Sequence, residues 1–167
     1  MPGYLALILH AHLPFVRHPE HERFLEESWL YEAITETYLP LADLIERWRE
    51  DRLNARLTLT LTPTLCSMLG DPLLQSRYER RLSALIELAE KEVHRTCWDA
   101  GCRRLAEAYV DRFTRLRARW HACDRNLLGV FRALQDQNRI EIVTSAATHA
   151  VLPLLRDQPA AMRGQIL

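Results

Sequence analysis

The sequence predicts an α/β fold in which parallel strands alternate with helices. Three short segments have strand character: an uninterrupted apolar run at residues 4–9, strict alternation at 57–62, and a β-branched segment at 139–144. Long stretches between them carry apolar residues every three or four positions, as amphipathic helices do. Strands separated by helices pair in parallel, so we expect a three-stranded parallel sheet. A closed parallel barrel needs roughly eight strands, and we therefore expect the chain to be part of a longer protein.

Composition excludes several classes of function. The 167 residues are 48% hydrophobic, which fits one domain with a sizeable core. Twenty-two basic residues balance 22 acidic ones, so no basic excess favours nucleic acid or an anionic membrane surface. No apolar run approaches the ~20 residues of a membrane helix, and the N-terminus does not resemble a signal peptide. We expect a cytoplasmic protein without nucleic-acid or membrane partners, and the oligomeric state stays open.

The four cysteines lack the paired C-x-x-C spacing of common metal and redox motifs. They are Cys66, Cys97, Cys102 and Cys123. A mainly helical cytosolic chain of this size does not need disulfides, so we expect reduced thiols. A metal or redox role for Cys97 and Cys102 is the weaker alternative, because one C-x4-C pair supplies only two ligands.

Two histidines mark the end of the first predicted strand. The run at residues 4–9 is continuous, as in a strand covered on both faces, and Pro14 stops pairing near His12. His10 and His12 share parity and should point to one side, at the carboxyl end where ligands of parallel sheets bind. The pair could ligate a metal, hydrogen-bond to substrate hydroxyls, or be partly buried and structural. His149 could join this cluster.

Other polar residues near the predicted site have simpler interpretations. His18 and His21 lie in a polar loop, where solvation is expected. The first helix, residues 26–48, carries one apolar stripe and should kink or split at Pro40. Its Trp29 is equally consistent with an aromatic platform for a sugar and with core packing. The acidic residues of this helix are expected on a solvated face: Glu26, Glu27, Glu32 and Glu36.

A long helical excursion, residues 72–135, separates the second and third predicted strands. A helix extends to about Val93, a turn follows at 99–101, and continuous three-to-four spacing predicts one long helix from Arg103 to Gln135. We favour an intramolecular hairpin, and a coiled-coil dimer is the alternative because the spacing is close to a heptad. In the third strand, Glu141 could point inward. No convincing pair of carboxylates stands at the strand ends.

Three motifs together resemble glycoside hydrolase family 57. They are His10-Ala-His-Leu-Pro-Phe-Val-Arg-His-Pro-Glu20, then residues 29–41 beginning Trp-Leu-Tyr-Glu, then Ile140-Glu-Ile-Val-Thr-Ser-Ala-Ala-Thr-His149 with Leu-Pro-Leu-Leu at 152–155. The resemblance implies that residues 1–167 are the N-terminal part of a (β/α)7 barrel with the helical excursion inserted between strands two and three. Within the family the match is most similar to 1,4-α-glucan branching enzymes, which implies an α-glucan substrate.

The family resemblance also implies roles for particular residues. His10, His12 and His149 would line the sugar site, Trp29 would contact the glucan, and neither a metal nor a cofactor is expected. The family's glutamate nucleophile and aspartate acid/base belong to later strands and have no counterpart here, so the chain should be inactive alone. Ala150 stands where glycine is expected. From the residues alone, a metal-dependent hydrolase or deacetylase and a non-enzymatic helical module remain alternatives.

Overall fold

The structure, a computed structural model, describes residues 3–166. Its strands are β1 (Ile8–Ala11), β2 (Leu57–Leu61) and β3 (Ile140–Val143), and they form one parallel sheet in the order β1-β2-β3. In register, Leu9 lies beside Leu59, and Leu59 lies beside Ile142. The prediction of an α/β chain with three parallel strands is confirmed.

In the described part of the chain, helices cover only one face of this sheet. The side chains of Leu57, Leu59 and Leu61 are buried on that face. The opposite face is open, and Ile8 there is 66% exposed. The expectation that the first strand is covered on both faces is therefore wrong. Tyr4 also lies outside the core, because β1 begins only at Ile8 and pairs with β2 alone.

The first helix contains a wider turn at its proline. Helix α1 (Glu27–Ala33) continues through a π-helical segment (Ile34–Tyr38) into α2 (Leu39–Glu50). Pro40 cannot donate to the carbonyl four residues back, and its ring would crowd that carbonyl. The wider segment relieves this conflict, since the N–H of Leu39 donates to Ile34 O, five residues earlier. The predicted split at Pro40 is therefore not observed, because the helix changes its winding there and continues into α2.

Five further helices complete the fold of residues 3–166. They are α3 (Pro63–Leu69), α4 (Pro72–Arg95), α5 (Ala100–Ala122), α6 (Leu127–Asp136) and α7 (Pro159–Gly164), with a 3-10 turn at Leu152–Leu155. A side-chain cap opens each of the four helices from α3 to α6: Thr62, Asp71, Asp99 and Asn126. None of the helices within residues 3–166 combines the length and apolarity needed to span a bilayer.

The predicted single helix from Arg103 to Gln135 is wrong, because the chain breaks between α5 and α6. Asp124 and Arg125 have φ of 52° and 61°, the left-handed conformation that ends an α-helix. Asn126 then caps α6 by accepting the N–H of Gly129 at 2.8 Å. Apolar spacing continues across the break, since both helices bury one side against the same core. Periodicity alone therefore did not reveal it.

Helices α4 and α5 pack against each other along their length. Tyr78 of α4 and Trp120 of α5 meet edge to face, with ring centroids 4.9 Å apart. The same stripe of α5 buries Phe113 and Leu116 within this one chain. The apolar face of α5 is thus largely occupied by contacts inside a single molecule.

A buried ion pair joins α1 to α4. Glu27 is only 1% exposed, and its Oε1 accepts from Arg77 Nη1. Tyr31 donates its hydroxyl to Glu27 Oε2 at 2.8 Å, and Arg77 also donates to the backbone carbonyls of His18 and His21. The expectation of a solvated Glu27 is wrong, because a buried carboxylate is tolerated where a cation and hydrogen bonds compensate it.

Candidate functional site

Three histidines gather at the carboxyl end of the sheet. The ring centroids of His12 and His149 are 4.1 Å apart, those of His10 and His149 4.9 Å, and those of His10 and His12 6.2 Å. The ring planes differ by only 28–30°. His10 and His149 are exposed and His12 is half-buried. The three imidazoles therefore form a stack that solvent can reach.

Strand geometry explains why His10 and His12 contribute to the same stack. His10 belongs to β1 and His12 follows the last residue of that strand, so equal parity sends both side chains to one side. The apolar residues on either side, Leu9 and Leu13, pack against the core. The predicted orientation of the two histidines agrees with this geometry.

His149 reaches the stack through the connection that leaves β3. Since β2 separates β1 from β3, this connection must cross the end of β2. Thr64, at the start of α3, donates to Ala147 O at 3.3 Å. Gln165, just after α7, accepts the N–H of Ala147 on its carbonyl and the N–H of Thr148 on Oε1, both at 2.9 Å. Two neighbouring residues of the crossing segment, Ala147 and Thr148, are thereby anchored.

His149 itself has an uncommon backbone conformation. Its φ is 59°, in the left-handed region that residues with a Cβ rarely adopt. The N–H of His149 donates to Ala146 O at 2.8 Å, which closes a tight turn. Strain of this kind persists where surrounding contacts hold it, and it concentrates at functional sites. The turn directs the imidazole back over β1.

The surroundings of His12 favour its neutral form. Partial burial lowers the pKa of His12, and the neighbouring His149 and His10 lower it further. Its Nδ1 lies 3.1 Å from Oγ1 of Thr62, the fully buried residue that caps α3. Sequence reasoning did not single out Thr62. The available signal was the Thr62-Pro63 pair after a strand, which is typical of a helix N-cap followed by proline at the first turn.

Not every residue considered from the sequence joins the stack. His18 lies against Phe24, with ring centroids 3.6 Å apart, and His21 is 5.3 Å from the same ring. Trp29 is 46% exposed on α1, and among residues 3–166 no ring contact joins it to the histidines. Glu141 is exposed and accepts from the hydroxyl of Thr58 at 3.4 Å.

The ligand chemistry of this site is that of imidazole rings. Each neutral imidazole offers one hydrogen-bond donor and one acceptor, a combination that suits sugar hydroxyls. Within residues 3–166, no three His, Cys, Asp or Glu side chains are arranged to hold a metal ion; a metal-free site stays a prediction. The first six residues after each strand contain no Asp or Glu. Hydrogen bonding is therefore the chemistry that these connections themselves provide.

The fold and the site together define the class of protein. Imidazoles at the carboxyl edge of a parallel sheet occupy the usual ligand position of α/β proteins. The model of glycosyl hydrolase family 57 matches residues 6–167, and the chain belongs to this family. The identification made from the three sequence motifs is confirmed.

Several relatives are similar over nearly the whole chain. The 1,4-alpha-glucan branching enzyme TK1436 of Thermococcus kodakarensis is 35% identical over 99% of this chain. The crystal structure of the alpha-amylase AmyC from Thermotoga maritima has a TM-score of 0.92 at 43% identity, and that of the branching enzyme from Pyrococcus horikoshii 0.91 at 34%. Each covers 99% of this chain. The chain spans 24% of the Thermococcus enzyme and 31–32% of the two crystal chains.

Proposed function

We propose that this chain supplies the first sugar-binding residues of an α-1,4-glucan branching enzyme. In this reaction an α-1,4 linkage is cleaved, the glycosyl group is held as an ester on the enzyme, and it passes to a 6-hydroxyl of a glucan. The stack of His10, His12 and His149 in a family 57 chain is the observation that carries the proposal. The similarity of the chain to branching enzymes supports the choice of reaction.

In the proposed complete protein, β1 to β3 are the first strands of a (β/α)7 barrel. Helices α4 and α5 would be a hairpin inserted between its second and third strands. The open sheet face carrying Ile8 and Thr58 would then face the barrel interior. The free thiols and even charge support a cytoplasmic location as part of the same proposal.

The histidines would act on the reacting sugar by hydrogen bonding. Imidazole nitrogens can hold its hydroxyls, and the bonds that a hydroxyl donates strengthen as positive charge develops at the anomeric carbon. Trp29, exposed near the start of α1, would offer an aromatic surface to an apolar sugar face. Retaining chemistry also needs two carboxyl groups about 5–5.5 Å apart. The strand ends described here carry no such pair, so both would come from other strands.

The proposal predicts glucan binding without turnover by residues 1–167. Maltoheptaose titrated into the chain should bind weakly, and His10→Ala and His149→Ala should each weaken binding by roughly tenfold. Calorimetry or NMR titration measures the affinity. His94→Ala is the matched control, because His94 is exposed on α4 outside the stack. Equal affinities in all four proteins would refute the site assignment.

Activity can be tested in a chimera. Residues 1–167 would replace the equivalent segment of the Thermococcus branching enzyme, and amylose would be assayed by iodine staining and debranching analysis. We expect branching by the chimera and a loss on the order of 10²-fold on His10→Ala or His149→Ala. Circular dichroism checks the fold of each protein. Branching by residues 1–167 alone, or full activity of both folded variants, would contradict the proposal.

A further inference from the structure

The side chains of Thr62 and His12 are in hydrogen-bond contact. Thr62 follows β2 directly and caps α3, while His12 follows β1. The Oγ1 of Thr62 is 3.1 Å from Nδ1 of His12. The N–H of Thr62 also donates to Ala11 O at 3.3 Å, which fixes the threonine beside the end of β1. The two residues therefore meet at the carboxyl ends of β1 and β2.

The hydroxyl of Thr62 has one hydrogen and two lone pairs to satisfy. One lone pair accepts the N–H of Leu65 at 3.4 Å, the capping bond of α3. Within residues 3–166, His12 Nδ1 is the other hydrogen-bond partner of this hydroxyl. Thr62 has no exposed surface, so water does not reach the hydroxyl. A buried donor without an acceptor is strongly unfavourable.

These constraints distinguish the two tautomers of His12. If Nδ1 carried the hydrogen, it would donate to Oγ1, and the hydroxyl hydrogen of Thr62 would be left without an acceptor. If Nδ1 is bare, the hydroxyl donates to it, and every group is satisfied. In a neutral imidazole the proton must then reside on Nε2. The titratable neighbours of His12, which are His10 on β1 and His149 after β3, also disfavour a doubly protonated ring.

We propose that Thr62 is a positioning residue that holds His12 as the neutral Nε2–H tautomer, so that this histidine presents a hydrogen-bond donor to a glucan hydroxyl. The donor role rests on the proposed function, whereas the tautomer follows from the threonine contact alone. Thr62 would thus influence sugar binding without contacting the sugar. It would do so from the N-cap of a helix, a position usually attributed to stability only.

NMR of residues 1–167 labelled with 15N-histidine tests the tautomer directly. In the wild-type chain at pH 8, we expect His12 Nδ1 to be unprotonated and Nε2 to carry the hydrogen. Thr62→Ser keeps the hydroxyl and should preserve this state. Thr62→Val removes it and should give a mixture of tautomers with a raised pKa of His12. A wild-type spectrum with hydrogen on Nδ1 would overturn the assignment, even if the valine variant did not fold.

Thr60→Val is the matched control, since Thr60 lies on β2 two residues earlier and makes no hydrogen bond to His12. It should leave the tautomer of His12 unchanged.

Maltoheptaose affinity separates the two parts of the proposal. We expect roughly tenfold weaker binding for Thr62→Val and near wild-type binding for Thr62→Ser. A folded Thr62→Val chain with altered tautomer and unchanged affinity would overturn the donor role. If no protein bound the sugar, the proposed function would fail and the tautomer result would stand.

Discussion

At the scale of residues, Glu27 and Arg77 place opposite charges inside the molecule. Removing both from water is costly, and further hydrogen bonds help their attraction to offset this cost, although Nε of Arg77 is buried without a hydrogen-bond partner among residues 3–166. The N–H of His18 donates to Glu27 Oε1 at 3.1 Å, and Tyr31 donates to the other oxygen. The pair therefore links α1, α4 and the loop after β1. That loop begins directly beyond the histidine stack.

Breaking this pair should strongly destabilise the chain. We expect Arg77→Met to lower the free energy of unfolding by about 3–5 kcal/mol, because it leaves Glu27 buried without a cation. The double variant Glu27→Gln/Arg77→Met should lose less than the sum of the single losses. Urea denaturation measures the stability of the two single variants, Glu27→Gln and Arg77→Met, and of the double variant. Arg80→Met, exposed on the same helix, should change stability by less than about 0.5 kcal/mol. Additive losses would show that the two charges are not coupled.

The pKa of His12 is lowered first by partial burial and then by the two imidazoles near it. His149→Ala and His10→Ala should each raise this pKa toward its ordinary value of 6.5. The increase should be larger for His149→Ala, because His149 lowers the pKa more than His10 does. Because the folded state favours neutral His12, the unfolded chain binds more protons between the lowered pKa and 6.5. Stability should therefore fall as pH decreases below 6.5, and less so in the variants. NMR titration of the ring C–H signals gives the pKa. An unchanged pKa of His12 in both variants would contradict the electrostatic effect of His149 and His10.

The sequence predicted some of the site residues for sound physical reasons. His10 and His12 follow from an apolar run ending at proline and from the two-residue period of a strand. His149 was included because it follows the third strand. Thr62 and Gln165 were missed, since their roles depend on distant parts of the chain. A threonine before proline indicates a helix start, but no local pattern shows that a histidine lies beside it.

At the scale of elements, the apolar stripe of α5 shows what periodicity can and cannot decide. The same spacing suits a hairpin and a coiled-coil dimer. The structure buries Leu116 and Trp120 against neighbouring helices of the same chain. Trp120 is so enclosed that its indole N–H has no hydrogen-bond partner among residues 3–166. Leu105, at the other end of α5, is 59% exposed.

Truncation at these two leucines should have very different consequences. We expect Leu116→Ala to lower the free energy of unfolding by roughly 2–5 kcal/mol, because it leaves a cavity in the core. Leu105→Ala should change it by less than about 0.5 kcal/mol. Denaturation curves measure both, and sedimentation equilibrium should give the same mass for all three proteins. A mass that falls with Leu116→Ala would instead favour the dimerising seam.

The elements that sequence reasoning missed or mispredicted share a physical cause. Helix α3 and the break before α6 both depend on caps, Thr62 and Asn126, whose backbone conformation is not visible in hydrophobic spacing. The π-helical segment is a structural response to Pro40, where a kink was equally plausible. The first strand is shorter than its apolar run, because pairing with β2 sets its length. Hydrophobic spacing predicted whether most long elements are helices or strands, whereas tertiary contacts determine the residues at which they begin and end.

At the scale of the whole molecule, the sheet has one open face and an exposed edge. Ile8 lies on that face, and Leu5 and Leu7 precede it with largely exposed side chains. Exposed apolar edge strands are templates for association. Ile8→Lys would add a charge at a position where little packing is lost.

We expect residues 1–167 to self-associate at high concentration, and Ile8→Lys to reduce this without lowering stability. Light scattering against concentration and binding of a hydrophobic dye report the association, and thermal unfolding reports the stability. Leu9→Lys is the contrasting variant, because Leu9 packs against the core and a charge there should destabilise the fold. Association unchanged by Ile8→Lys would indicate that another surface is responsible.

The way in which the histidine stack is assembled also has a kinetic consequence. Residues 12, 62 and 149 come from three connections that are far apart along the chain, and β3 can pair with β2 only after the segment containing α4 and α5 has been looped out. Local contacts between those two helices can form quickly, whereas closing long loops slows folding. The His12–His149 contact should therefore be among the last to form. In a refolding experiment, the ring C–H signals of His149, whose ring centroid lies 4.1 Å from that of His12 in the folded chain, would report completion of the sheet after most helical signal has returned.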